Sequence, residues 1–263
     1  MPLIDPILVK SRLGALAGRF DVDALAVCDS TNSELLRRAE QGAPAGSVLV
    51  ADEQTAGRGR RGRCWLSAPE SSLTFSLLWR FNGPVSRLSG LSLAVGVGLV
   101  RGLESLGAQG LCLKWPNDVL LRTEALDAKL AGILVELASD RRGTQAIIGI
   151  GLNLQPPDGA LPQPAAGLSQ AGMPLPDRHA VLAAVLQELH RVFEVFAVDG
   201  FFGVKTAWQQ RHAWQDRPVQ ILGDEAEPLL GRCLGVDDDG ALLLETAKGV
   251  ERIFSGDVSL RPA

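Results

Sequence analysis

The chain has 263 residues, 46% of them hydrophobic and 21% charged, with a formal net charge of -4. That composition excludes a disordered chain, allows one large core plus a smaller unit, and leaves no basic field to gather a polyanion. The longest uncharged apolar stretch, Leu88 to Val100, falls short of the roughly 20 residues that span a bilayer, so no membrane segment is expected.

The N-terminus carries Asp5, Pro2 and Pro6 where a signal peptide needs an unbroken apolar run, which points to a cytoplasmic protein. Farther on, DSTNSELLRRAEQGAP (29–44) reads as a helix opened by an S/T-x-x-E box of Thr31 and Glu34 and closed by Gly42 and Pro44. The polar cluster Asp29 to Asn32 then sits at a helix N-terminus, where free N–H groups face whatever docks. SVLVADEQ (47–54) reads as a buried strand, and SLTFSLLWRF (72–81) alternates Leu73, Phe75, Leu77, Trp79 and Phe81 on one face.

Between these strands lies GRGRRGR (57–63), four arginines and three glycines in an acidic chain. Without a second basic cluster or interleaved aromatics, a nucleic-acid patch is disfavoured. Glycines that let a ligand approach the backbone, with arginines to neutralise it, suit a loop folding over a small anion.

From Arg87 to Leu106 the apolar residues keep helical spacing, and the glycines among them allow close packing. LCLKW (111–115), KLAGILVELA (129–138) and TQAIIGIGLNL (144–154) read as strands; Pro116 ends the first, and Asn117 and Asp118 emerge there. The proline- and glycine-rich segment 155–176 reads as a lid. Helices follow from about Asp177, with Leu182, Val185, Leu186, Leu189, Phe193 and Phe196 on one face, and over 201–212. After Asp216 short strand-like pieces separated by turns indicate a small all-β module, giving domains 1–214 and 215–263. Cys28, Cys64, Cys112 and Cys233 have no CxxC spacing, and His179, His190 and His212 are far apart, so neither a zinc site nor a histidine triad is expected.

DSTN, EQTAGRGRRGRCW, KWPND, KLAGILVE and IGIGLNL, in this order, resemble the biotin protein ligase family over about residues 28–263. The resemblance implies an α+β fold: a central mixed or antiparallel sheet with flanking helices, similar to the class II synthetase-like catalytic core of biotin/lipoate ligases, plus an SH3-like C-terminal barrel. It implies a biotin–[biotin carboxyl carrier protein] ligase. Biotin and MgATP give biotinyl-5′-AMP and pyrophosphate, and biotin then passes to a lysine of a carboxylase carrier domain, with no tightly bound prosthetic group. Biotin's ureido ring would meet Ser30, Thr31, Asn32 and Gln54 and the backbone at Gly57 and Arg58. Arg58, Gly59 and Arg60 would close over the ligand, Trp65 and Gly132 would wall it, and Lys129 would contact acyl and phosphate oxygens. Catalysis would rest on Lys129, Arg58 and Arg60. The resemblance gives the nucleotide Arg60, Arg63, Lys114, Asn117 and Asn153, with Gly149 and Gly151 making room for ligand, and makes Asp118 a Mg²⁺ or outer-layer residue. In an apolar strand Lys129 would itself be costly without an anionic partner.

The segment ahead of DSTN is too short for the winged helix-turn-helix of the larger repressor members, so no operator DNA binding is expected. LLRTEALDA before Lys129 implies a longer hairpin turn, and Ala165 falls where some members place a tryptophan over adenine. A homodimer through a sheet edge is a further expectation. Two rivals stand beside this reading: a lipoate or octanoate ligase or transferase of the same fold, which would replace the polar set with an apolar tunnel, and a basic-loop RNA-binding protein.

Overall fold

The computed structural model describes residues 2–123, 127–140, 143–158, 163–175, 177–223, 227–256 and 258–263. In chain order the elements are α1 (Pro6–Leu13), β1 (Asp21–Cys28), α2 (Thr31–Glu40), β2 (Ser47–Gln54), β3 (Ser72–Phe81), α3 (Leu91–Ser105), β4 (Leu111–Lys114), β5 (Asp118–Arg122), β6 (Asp127–Asp140), β7 (Gly143–Asn153), α4 (Arg178–Asp199), α5 (Phe202–Gln209), β8 (Pro218–Leu222), β9 (Leu229–Val236), β10 (Leu242–Thr246), β11 (Gly249–Ile253) and β12 (Ser259–Pro262). Parts of the expected longer hairpin (124–126) and of the lid (159–162 and 176) lie outside the described residues.

β1 to β7 form one sheet in the order β1-β2-β3-β7-β6-β5-β4, parallel only between β1 and β2. Alternation along β3 settles what each face does. Leu73, Phe75 and Leu77 point into the main core, which they share with Leu99 and Leu103 of α3 and Leu182, Leu186 and Phe193 of α4. The opposite face carries Ser72, Thr74, Ser76 and Leu78; α2 covers its Leu78 end with Leu35 and Ala39, and the rest stays open for a site. Gly102 brings α3 onto α4: a Cβ there would lie 2.8 Å from Val185 Cα, so only glycine permits this approach.

Several local expectations are corrected. α3 starts at Leu91, not Arg87, because Gly90 adopts a left-handed φ of 75° behind a 3-10 turn, Val85–Leu88. α5 is shorter than 201–212. The Thr31–Glu34 capping box does not form: Ser30 is the N-cap and makes no side-chain cap bond, and Glu34 pairs with Arg37 and Arg38. The Thr31 hydroxyl at this terminus is engaged by Gln54 and Ser76. α1, β1 and β5 were not anticipated; β1 is an edge strand in which only Val22 is buried, so its apolar alternation is weak.

β8 to β12 form an antiparallel sheet in the order β11-β10-β9-β8-β12. This antiparallel sheet is the small β module expected after Asp216; among the described residues no ladder joins β11 to β12. This sheet is fastened to the larger one by the fully buried Trp115, which donates from Nε1 to Gly240 O at 3.1 Å.

Candidate active site

Cross-strand register lays the floor of the site. Thr74 of β3 pairs with Gly151 of β7, Gly151 with Gly132 of β6, Gly132 with Asp118 of β5, and Asp118 with Lys114 of β4. Directly paired residues share a face, so one row across five strands reads hydroxyl, bare backbone, bare backbone, carboxylate, ammonium. The neighbouring row is Ser76, Gly149 and Leu134. Above these rows lies a cavity of about 570 Å³.

The two bare stretches are filled by side chains of the site. A Cβ on Gly151 would fall 2.2 Å from Trp65 Cε2, and one on Gly149 would fall 2.3 Å from Asn32 Oδ1. Both glycines line the cavity, but the room they leave is occupied by an indole and an amide, which corrects the expectation that they make room for ligand directly. Gly57 does not line the cavity. A Cβ there would meet Trp65 O at 2.3 Å, so this glycine lets the loop close on itself.

The β3–β7 end of the cavity is polar and almost uncharged. Ser30, Thr31 and Asn32 are each about 3% exposed. Thr31 N donates to Gln54 Oε1 at 2.7 Å. Ser76 Oγ lies 2.7 Å from Thr31 Oγ1 and 2.5 Å from Asn32 Oδ1. Asn32 Nδ2 donates to Glu136 Oε2 at 2.8 Å, and Arg58 Nη2 donates to the same oxygen at 2.7 Å. In the middle, Trp65 Nε1 and Thr74 Oγ1 are buried without a hydrogen-bond partner, an arrangement a bound ligand can relieve.

The β5–β4 end is cationic. Asp118 holds Lys129 Nζ at 2.6 Å with one oxygen and Lys114 Nζ at 3.0 Å with the other. Burial alone would push the Asp118 carboxyl up, but the two ammonium groups outweigh it and hold it at about 2. Burial pulls the Lys114 ammonium down despite that partner. Lys129 Nζ also stands 5.7 Å from the centre of the Trp65 ring. Arg261, from β12, lines this end as well, and burial followed by the charge of Arg63 lowers its guanidinium.

The arginine loop roofs the cavity as a small hairpin closed by a bridge between Arg58 and Cys64. Arg60 donates to Asn117 Oδ1 at 3.2 Å and to the backbone oxygens of Ser255 and Gly256, tying the roof to the C-terminal sheet. The lid residue Ala165 bridges to Lys129, and Asn153 donates to Ala166 O at 3.1 Å.

Every expected site residue except Gly57 therefore lines one cavity. Four sit there differently from expectation. Lys114, expected at the nucleotide, is 5% exposed and bound to Asp118. Asn117 and Asn153 use their amide N–H groups on backbone oxygens. Asp118, expected at Mg²⁺ or one layer behind it, has both oxygens on lysines, which places it behind Lys129, and no group of three or more potential ligands occurs among the described residues. Sequence reasoning missed Thr74, Ser76, Glu136 and Arg261. The first two were signalled by polar residues alternating with the apolar face of 72–77; Arg261 had no signal of its own.

Residues 24–153 match the family described as Biotin/lipoate A/B protein ligase family, and residues 216–261 match the Biotin protein ligase C terminal domain. The Escherichia coli (strain K12) bifunctional ligase/repressor BirA is 37% identical over 259 residues, 97% of this chain and 78% of that protein. The Mycobacterium tuberculosis biotin–[acetyl-CoA-carboxylase] ligase is 33% identical over 98% of this chain and 95% of its own. The solved Aquifex aeolicus biotin protein ligase in complex with biotin and ATP superposes with a TM-score of 0.77 at 32% identity, covering 92% of this chain and 99% of that one. The chain belongs to the biotin protein ligase family.

Proposed function

We propose that this chain activates biotin with MgATP to biotinyl-5′-AMP and transfers biotin to a lysine of a carrier-protein domain, of the kind carried by biotin-dependent carboxylases. The observation that carries the reading is the order of chemistry across the cavity. Neutral hydrogen-bonding groups gather over β3 and β7, an indole lies over the bare glycines, and cations gather over β6, β5 and β4. Biotin has matching parts in matching order: a neutral cyclic urea, an apolar thioether ring and chain, and a carboxylate to be joined to a phosphate.

Biotin's carboxylate is ionised at neutral pH, so the first step needs no general base. A carboxylate oxygen bonds to the α-phosphorus of ATP as the bond to the pyrophosphate oxygen breaks. The barrier lies in bringing two anions together, which Lys129, the loop arginines and the magnesium that accompanies ATP lower by charge cancellation and positioning. Asp118 positions Lys129 for that contact. In the second step the carrier amine attacks the acyl carbon, AMP leaves with the bonding pair of the C–O bond, and the amine loses its proton. The arginine roof keeps water from the mixed anhydride meanwhile.

The polar lining of Ser30, Thr31, Asn32 and Gln54, with the unpartnered Trp65 Nε1 and Thr74 Oγ1, favours a ureido ligand over the aliphatic chain of lipoate or octanoate, which would bring these groups no partner. All four cysteines are free and no helix of the described residues is long and apolar enough to cross a membrane; both features fit the cytoplasmic placement we propose. The proposed homodimer falls on β1, since the outer edge of β4 is covered where Leu113 bridges to His212; sedimentation with and without biotin and ATP tests it. The first half-reaction is tested by biotin-dependent exchange of labelled pyrophosphate into ATP. Exchange supports the reading, and exchange driven by octanoate but not biotin would replace it.

A further inference from the structure

The polar end of the cavity contains a hydrogen-bond relay whose direction can be worked out. An ionised carboxylate only accepts, so the group that Asn32 turns to Glu136 at 2.8 Å is its NH₂. Leu134 O, 3.4 Å from the same nitrogen, asks for the same orientation. Asn32 Oδ1 therefore faces Ser76 Oγ at 2.5 Å, and the single hydroxyl hydrogen of Ser76 lies between them. Ser76 is fully buried, so no solvent alters this. The 2.7 Å contact between Ser76 Oγ and Thr31 Oγ1 also needs a hydrogen, and only Thr31 is left to supply it. With its hydrogen turned to Ser76, Thr31 offers the cavity lone pairs alone. Gln54 Oε1 accepts from Thr31 N at 2.7 Å, so it too is an acceptor; it also lies 3.2 Å from the Thr31 hydroxyl, whose hydrogen the shorter 2.7 Å contact draws to Ser76.

We propose that Glu136, which does not line the cavity, is a positioning and specificity residue. Its carboxylate sets the direction of the relay Thr31 to Ser76 to Asn32, so that Thr31 and Gln54 present paired acceptors to ligand N–H groups. The proposal rests on the biotin reading above and names what selects the ureido ring within it. Arg58, on the same carboxylate oxygen at 2.7 Å, couples the relay to the arginine roof. Without an anionic or carbonyl acceptor at 136, only the long 3.4 Å contact to Leu134 O holds the Asn32 amide in this orientation, and an amide that turns over reverses both hydroxyls and sets a hydroxyl hydrogen against a ligand N–H.

The test uses the full chain and isothermal titration with biotin, alongside steady-state kinetics. Glu136→Gln can keep a carbonyl oxygen toward Asn32 and Arg58, so its biotin affinity should stay within about threefold of the parent, whereas Glu136→Ala should lose roughly tenfold or more, the loss of about one well-placed hydrogen bond. In both variants the KM for ATP should hold. Asn32→Asp alone opposes two carboxylates and should bind biotin poorly; Asn32→Asp with Glu136→Gln restores an N–H to carboxylate pair and the original direction, and should recover affinity. Equal biotin affinity in the parent and Glu136→Ala, equal losses in the Gln and Ala variants, a matching rise in KM for ATP, or no recovery in the double variant would each overturn the proposal. A parent chain that binds no biotin would instead overturn the function proposed above.

Discussion

Lys129 Nζ and Asp118 Oδ1 lie 2.6 Å apart, and the other oxygen of that carboxylate holds Lys114 at 3.0 Å. One buried anion thus fixes two cations at the end of the cavity to which the proposed reaction brings phosphate. Lys129→Ala leaves Asp118 paired with Lys114, so the fold should survive. Adenylate formation should fall by about 10²-fold or more, the usual cost of removing a positioned electrostatic donor. Pyrophosphate release measured on the variant checks this, and near-normal release would remove Lys129 from the chemistry.

His212 is buried between the Trp208 ring, 4.6 Å away centre to centre, and Cys233 of β9, at the junction of the two sheets. Burial pushes its imidazole down to about 4. An unfolded chain takes up this proton near pH ~6.5, so between that pH and about 4 the unfolded state binds more protons and stability falls as pH falls. Below about 4 this contribution levels off. Thermal unfolding from pH 7 to pH 4 should show a steeper decline for the parent than for His212→Phe; parallel declines would contradict the assignment.

In the C-terminal sheet Val258, Ser259 and Arg261 line the cavity, and Ser255 and Gly256 receive Arg60. Arg261→Ala should raise the KM for ATP several-fold and leave biotin binding unchanged, because Arg261 stands at the cationic end only. Removing the segment from 216 onward should weaken stability and turnover together, since Trp115 and Arg60 both lose partners there. A stable truncated chain with both half-reactions intact would show that this sheet serves another purpose.

The arginine roof should be tighter with ligands than without, because four arginines in seven residues repel one another until an anion arrives. Protease cleavage within 57–63 should slow when biotin and ATP are added. Arg60→Gly severs the tie to Asn117 and the C-terminal sheet, so it should still make the adenylate but release it early, labelling lysines of unrelated proteins. A variant that labels only its carrier, or a loop cleaved equally in both states, would show that 57–63 is no lid.

Most of the floor was legible because strand periodicity and five ordered motifs carry it: β2, β3, β6 and β7 fall where their patterns put them. What stayed hidden depends on register. That Gly149 accommodates Asn32 and Gly151 accommodates Trp65 follows from which residues pair across β3, β7 and β6, and a single sequence does not state its pairing. Glu136 lies late in an apolar strand and drew no expectation of its own, yet it reaches Asn32, 104 positions away. β1 was obscured by its place at an edge, and β5 by a segment read only as a turn.

Incubating the purified chain with biotin, MgATP and an isolated biotin carboxyl carrier domain, and measuring the mass of that domain, tests the proposed ligation. The expected result is one added biotinyl group on a single lysine, dependent on both biotin and ATP, with AMP and pyrophosphate formed in equal amounts. A carrier that gains no biotin while a lipoyl carrier domain gains lipoate or octanoate under the same conditions would contradict it.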